Sequence, residues 1–534
     1  MEEKSLGRSF LILSLSGILV KLLSAAYVPL LNAAIGKDAV GVYSSSYNMF
    51  VFILAVTSMG AQPAVMKVVA ELKALGRGED AYRTMKLSRN YLTIIGIIAT
   101  VLFIILSKPI ASLVGLERSV LSMYFLAPTI LFTCILAAYR GYLQGIEEME
   151  TLAISQVIEQ FINVVLSLIF AALLIKVSVE WGSAGGTVGT TIGALVAIVF
   201  TSYMFEKKHL HNSVNEDENK IKRISDKKII RKLIKYGLPI ILVAIMQNAG
   251  NLVDTLLVQS RLKAAGFSQT EASVKFALLN YYNTLLYVPL SIVTALSAAV
   301  FPKIINAYTN KNRKELKIQV AYTFKLTYLI VIPACFGLAV LSEQIYIMLF
   351  GSSQGYELLK YGSIVLLFMS ITSIQNTIFQ GANKLYLVLK TASIGVVIKI
   401  IIDYFLVYSK EINVFGAVVA SFIGFLAPTI LNHKKMKKLL RIRVPIVRQG
   451  IIPLIASSAM TVAIVVIKMP LMRVLNIVEG GRGVVTIMVL ILISIGGLIY
   501  LIVSILFGGI SKKDLDMISP RLFSLLPKFL RKNM

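Results

Sequence analysis

Five ionisable side chains that lie within largely apolar stretches are the informative ones: Lys21, Glu159, Asp254, Lys399 and Asp403. A charge held inside a bilayer costs about 2.5–3.5 kcal/mol on insertion scales, so such a group normally faces a partner or a water-filled path. Lys21 shares a face with Ser14, Gly17 and Ser24 at helical spacing. It lies about 13 residues past Arg8, roughly 20 Å along a helix, which is too deep to reach back easily to the inner surface, while the end of the run near residue 30 leaves a structural lysine that reaches outward as the other reading. An ammonium beside small side chains is suited to holding an anion. Gln156, Glu159, Gln160, Asn163 and Ser167 form a second polar stripe, and Gln247, Asn251 and Asp254 recur at i, i+4 and i+7. Glu159 and Asp254 each fit two readings, a cation or proton site or the partner of a basic neighbour. The amides alone suit the role of holding helices together. Lys399 and Asp403 form an i,i+4 pair able to neutralise one another.

Elements able to place these groups are apolar runs of about 20 residues, the length that spans a bilayer as a helix. About 14 are present, near 9–30, 40–66, 90–107, 119–140, 152–175, 186–205, 233–259, 276–301, 320–341, 361–380, 385–408, 413–431, 450–468 and 484–507. Of the 534 residues, 57% are hydrophobic and 15% charged, a balance that excludes an ordinary soluble domain. The net charge of +27 does not indicate nucleic acid, because the basic residues form short clusters between apolar runs. With the N-terminus in the cytoplasm, inner segments hold about 38 of the 54 Lys+Arg, which predicts that both termini are cytoplasmic. The first apolar run lacks a small-residue cleavage site and reads as a spanning helix rather than a signal peptide. Cys134 and Cys335 lie inside apolar runs and read as buried free thiols, while His209, His211 and His433 fall in basic loops with no metal-ligand spacing.

Two halves are visible. A shift of about 236 residues brings Lys67 onto Lys303 and Leu143-Gln144-Gly145 onto Phe379-Gln380-Gly381. A shift of about 231 brings Thr190-Thr191-Ile192-Gly193 onto Ser421-Phe422-Ile423-Gly424. The expected organisation is an all-α membrane protein with an N-lobe over 1–205, a charged cytoplasmic linker over 206–232 and a C-lobe over 233–440. Two extra helices follow over 441–510, then a basic amphipathic tail over 511–534. Halves of six spans enter the membrane in the same direction and are related by an axis along its normal. Transporters so built usually bind their substrate between the halves. The chain has no Walker A motif, no paired carboxylates in a soluble domain and no Ser/His/Asp set, so the expectation is a transporter and not an enzyme. No cofactor and no metal is expected. Energy would come from a monovalent cation, a proton or the membrane potential.

Particular stretches resemble a known family. Gly17 through Tyr27, followed by Gly36 and Gly41-Val42-Tyr43, resembles the opening of the multidrug/oligosaccharidyl-lipid/polysaccharide exporter superfamily. So do Arg140-Gly141-Tyr142-Leu143-Gln144-Gly145, Pro289-Leu290-Ser291, Phe301-Pro302-Lys303 and Phe379-Gln380-Gly381. The likeness is greatest to its polysaccharide biosynthesis branch, which holds stage V sporulation protein B and the MurJ-type lipid II flippases, and it covers nearly the whole chain. It implies two lobes that alternate between inward- and outward-open states. It also implies a polyprenyl-pyrophosphate-linked sugar flipped from the inner to the outer leaflet of a bacterial plasma membrane, with membrane lipids and envelope-synthesis enzymes as partners and no nucleic acid.

On that reading the substrate-binding residues are Lys21, Ser24, Asn251, Asn283 and Lys399, with Asn283, Tyr287 and Ser291 offering a surface for the sugar. Glu159, Asp254 and Asp403 are candidate ion or proton sites, and Lys67, Arg140 and Lys303 form the cytoplasmic rim. Lys21 stands where the branch has a cavity arginine, but Tyr27 and Ala33 stand where further arginines are common. This departure leaves a sporulation or surface-polysaccharide intermediate open beside lipid II. The competing classes are a cation-coupled multidrug or metabolite exporter of the MATE type, and a non-transporting scaffold for envelope assembly.

Overall fold

A computed structural model describes residues 2–208, 223–439, 446–474 and 477–511, with side chains at all of these except 2–15, 18, 439, 446–447, 473–474 and 477–480. The regular structure among the described residues is helical. In chain order the helices are α1 (Glu2–Thr57), α2 (Ala61–Ala74), α3 (Gly78–Val114), α4 (Val120–Gly145), α5 (Met149–Leu174), α6 (Val179–Lys207), α7 (Asp226–Ala264), α8 (Gln269–Thr309) and α9 (Arg313–Val340). They continue as α10 (Ser342–Phe350), α11 (Tyr356–Gly362), α12 (Val365–Gly381), α13 (Leu385–Leu406), α14 (Phe415–Leu439), α15 (Ile446–Gln449), α16 (Ile451–Val474) and α17 (Ile477–Leu506).

Eleven of the described helices are long and apolar enough to cross a membrane, or up to 12 if the pair Tyr356–Gly362 and Val365–Gly381, bent by 55°, is one span. The expected number of about 14 is not reached by that measure, which treats Leu19–Ala74 as one stretch. That stretch folds back on itself. Gly36 has φ 75° and ψ 171°, a conformation that favours glycine. The rings of Tyr27 and Tyr43, on either side of it, lie 5.9 Å apart; a straight helix would separate these residues by about 24 Å. The run expected over 40–66 is also broken, by the turn at Ser58–Gly60 between α1 and α2. The backbone and side chain of Ile241 would meet a side chain placed at Gly60. The amphipathic tail and residues 209–222 of the linker lie outside the described residues.

The chain forms two compact units, one of residues 1–280 with 403–414 and one of 281–402 with 415–534. In the first unit, α2 to α6 share a core built from Val65, Val69, Leu72, Met85, Tyr142 and Phe205. The segment that enters α7 is fastened to the α2–α3 hairpin. Ile224 joins the core and its N–H donates to both Asp80 oxygens at 3.3 Å. Arg223 pairs with Glu79 at 2.8 Å and Lys232 with Glu71 at 3.1 Å. At the other end of the helices, Arg118 donates a two-pronged pair of hydrogen bonds to Asp38 at 3.0 and 2.9 Å and a third to Glu180 at 2.7 Å. This ties α1 and α6 to the short turn of 3-10 helix at Glu117–Ser119.

In the second unit, Tyr281 stacks on Phe350 at 4.0 Å and Tyr282 donates to the Gly362 carbonyl. Thr372 and Thr429 join α12 to α14 at 2.8 Å. α16 and α17 pack on each other and on α9 and α10. Tyr500 donates to the Leu329 carbonyl, and Arg482 closes the end of α10 by donating to the carbonyls of Met348 and Leu349. Cys134 and Cys335 are buried free thiols.

Candidate functional site

The polar interior of the first unit is organised by the contact between α5 and α6. Glycines recur on α6 at 182, 185, 189 and 193, a small-residue stripe of the kind that lets membrane helices approach closely. A side chain at Gly185 would run into the Phe170 carbonyl, one at Gly189 into the backbone of Asn163 and Ser167, and one at Gly193 into the Glu159 carbonyl. The stripe therefore fixes the rotation of α5 and, with it, the direction of the polar stripe expected from the sequence. Asn163 Oδ1 accepts from Ser167 at 3.2 Å and from Thr190 at 3.0 Å. Tyr27, from the first limb of α1, donates to the Gly186 carbonyl at 2.6 Å, and the ring of Tyr43 stacks on that of Tyr47 at 5.5 Å.

Glu159 and Arg140 meet here. Arg140 Nη1 lies 2.7 Å from Glu159 Oε2, and Arg140 Nε donates to Ser155 Oγ at 3.1 Å. Arg140 is 9% exposed, whereas the Glu159 side chain is 25% exposed. Arg140, expected at the cytoplasmic rim, is thus a buried group with a carboxylate partner. Its guanidinium turns to a carboxylate on the next helix, while the neighbouring Gly141 face of α4 is closed against α2: a side chain at Gly141 would strike Val65 and the Gln62 carbonyl. Of the two readings of Glu159, the structure displays the partner of a basic residue.

The remaining candidates are dispersed. Lys21 and Ser24 are exposed on the first limb of α1. Ser24 donates to the Val20 carbonyl, and Lys21 makes no ion pair among the described residues. Lys67 is exposed with its ammonium 4.0 Å from the centre of the Tyr236 ring. Asp254 is 4% exposed on α7, on a helix joined to α1 by the bonds from Asn48 to Thr255 and from Gln259 to Ser45, and Asn251 is half-buried. Asp403 is fully buried. In the second unit, Lys303 is exposed and Asn283 half-buried. Lys399 is buried and donates to Ser421 Oγ at 2.8 Å. The Arg118–Asp38–Glu180 cluster escaped the sequence reading. Its only signal was the position of all three at the edges of apolar runs.

Residues 6–308, more than half of the chain, match the model of a family described as polysaccharide biosynthesis protein. The chain belongs to this family. Within the family, the chain is 24% identical over 534 residues to the lipid II flippase MurJ of Bacillus subtilis (strain 168), covering 96% of this chain and 97% of that one. It is 22% identical over 448 residues to stage V sporulation protein B of the same organism, covering 84% and 86%. The fold matches a solved structure of lipid II flippase MurJ in an inward closed conformation, with TM-score 0.68 and 17% identity, covering 95% of this chain and 100% of that one. These likenesses place the family member in the multidrug/oligosaccharidyl-lipid/polysaccharide exporter superfamily and, with its many apolar helices, among multi-pass membrane proteins.

Proposed function

We propose that this chain is a flippase that carries a polyprenyl-pyrophosphate-linked sugar across a bacterial plasma membrane by alternating access, with Lys21 as its principal anion-binding residue. The observation that carries the reading is the end-to-end similarity to a lipid II flippase, which spans both the halves and the two helices beyond them. The exposure of Lys21 supports the role given to it, since an exposed ammonium that makes no ion pair among the described residues is available to a pyrophosphate. The duplication of the halves is supported by a local likeness. Gly145 packs against Val69, and Gly381 against Ile304, so each half closes its Gln-Gly turn onto the helix that carries Lys67 or Lys303. The cargo is a peptidoglycan precursor such as lipid II or a sporulation or surface-polysaccharide intermediate. Cytoplasmic termini follow from the distribution of Lys and Arg.

The test is translocation of a fluorescent lipid II in proteoliposomes, measured beside drug efflux in cells. Lys21→Ala should abolish translocation at unchanged protein level, and Lys21→Arg should retain part of it, since the charge persists while the geometry changes. Full translocation by Lys21→Ala would place the anion elsewhere. Drug efflux without lipid translocation would favour the multidrug exporter, and neither activity would favour the scaffold.

A further inference from the structure

Arg140 is not fully used by the fold. A guanidinium offers five N–H donors in a rigid fork, and here Nε is bound to Ser155 while Nη1 is bound to Glu159. The other terminal nitrogen, Nη2, is buried and has no hydrogen-bond partner among the described residues. Most buried polar atoms in folded proteins are paired, so an unpaired cationic donor calls for a physical reason. The carboxylate contact is also one-pronged, engaging Nη1 and leaving the end-on pair of Nη1 and Nη2 half occupied. A phosphate group can span that pair with two parallel bonds. The surroundings favour an exchange. Arg140 is nine-tenths buried, but Glu159 is partly exposed and lies in the half-buried stripe of Gln156, Gln160 and Asn163, so the carboxylate is on the open side of the pair. The Glu159 backbone is pinned by its close approach to Gly193; its side chain is left to turn.

We propose that Arg140 is a second anion-binding residue, that a phosphate group of the cargo displaces Glu159 from it, and that Glu159 ejects the anion by pairing with Arg140 again. This rests on the flippase reading and assigns that function a release device. The pair is neutral at rest, so the protein does not carry an uncompensated charge through the membrane between cargoes. When cargo arrives, the phosphate takes both terminal nitrogens and the carboxylate turns to the open side. When the path reopens to water, the competing carboxylate lowers the barrier to release. A purely structural ion pair would show one signature on being broken, loss of stability together with loss of every activity. A release device shows a split: without the carboxylate, the anion is held more tightly and turned over more slowly.

The experiment uses the full chain in phosphatidylcholine nanodiscs, titrated with undecaprenyl pyrophosphate, with inorganic pyrophosphate and with phosphatidylglycerol, alongside translocation of fluorescent lipid II in proteoliposomes. Glu159→Gln should bind undecaprenyl pyrophosphate about tenfold more tightly, since an opposing charge beside the guanidinium is removed, and should translocate about tenfold more slowly. Arg140→Gln in the same background should abolish the gain. If inorganic pyrophosphate shows the same gain, the site reads the pyrophosphate itself. If phosphatidylglycerol alone shows it, the site is a lipid headgroup site and cargo release through it is refuted. Affinity unchanged or weakened in a Glu159→Gln protein that melts like the wild type overturns the proposal, as does a gain that survives Arg140→Gln. Should Glu159→Gln not fold, Glu159→Asp keeps the charge but shortens the reach; it should tighten binding and slow translocation in the same direction, and wild-type values for both would refute the device. A wild type that binds pyrophosphate through Arg140 but moves no lipid-linked sugar would sink the flippase reading and leave the anion site standing. A wild type that translocates, with no split in Glu159→Gln, would do the reverse.

Discussion

Gly189→Ala is the sharpest test of how α5 is held. A Cβ at this position would stand 2.3 Å from the Asn163 carbonyl oxygen and 2.5 Å from both the Ser167 nitrogen and its Oγ. Two of the three obstacles are backbone atoms and cannot rotate away, so α5 and α6 must separate by about 1 Å to restore van der Waals distance. Overpacking of this kind costs about 1–3 kcal/mol, and here the separation would also loosen the Thr190–Asn163 bond. Gly497 supplies the contrast. It lies in α17 with nothing within 4 Å of an added Cβ, so Gly497→Ala should be neutral or stabilise by up to about 1 kcal/mol through reduced backbone freedom. The assay is thermal melting of the purified proteins in one detergent, followed by translocation. The expected order is Gly189→Ala lowest, with wild type and Gly497→Ala together above it. Because α5 carries Glu159 and Asn163, Gly189→Ala should also lower translocation at temperatures where it remains folded. A Gly189→Ala protein that melts at or above the wild type would refute the claim that this close contact sets the position of the polar stripe.

The other predictions concern charge at the ends of the helices. Arg118→Lys keeps the cation but cannot grip Asp38 with two prongs while holding Glu180; given the partial exposure of all three, it should cost about 1–2 kcal/mol, and an unchanged melt would show that the network adds nothing. Glu148 lies in the turn between α4 and α5. Burial alone would raise its pKa, but the hydrogen bond and charge of Lys208, with the bond from Thr151, outweigh this and hold it below the ordinary value of 4.5. A carboxyl depressed on folding stabilises at pH above its unfolded value and loses that contribution as pH falls through its folded value. The melting difference between wild type and Glu148→Gln should therefore be present at neutral pH and shrink under acid conditions, and a difference that persists unchanged well below 4.5 would rule the pair out as its source.

How much of this was legible in the sequence depended on whether the signal was local. Apolar length is local, and it revealed an all-helical membrane protein whose interior charges were few enough to name one by one. The breaks were less visible. Gly36 stood in the motif that suggested the family, yet nothing in its neighbours shows that the chain reverses there rather than bending, because reversal is decided by what Tyr27 and Tyr43 pack against. Arg118, Asp38 and Glu180 lie in three separate stretches, and no spacing rule brings them together. Arg140 is the instructive case. Near the end of an apolar run, an arginine is naturally read as reaching for the surface. What decides otherwise is the rotation of two helices: α4 presses its Gly141 side onto α2, and α5 is locked by the glycines of α6 with Ser155 and Glu159 turned toward the guanidinium. The glycine spacing on α6 was readable in advance, but it marks only the face of α6 that a neighbour approaches closely; that the neighbour is α5 is decided by the packing. With α5 as that neighbour, the contact of Gly193 with the Glu159 carbonyl sets Glu159 against α6, and the turn of α4 brings Arg140 within 2.7 Å of its carboxylate.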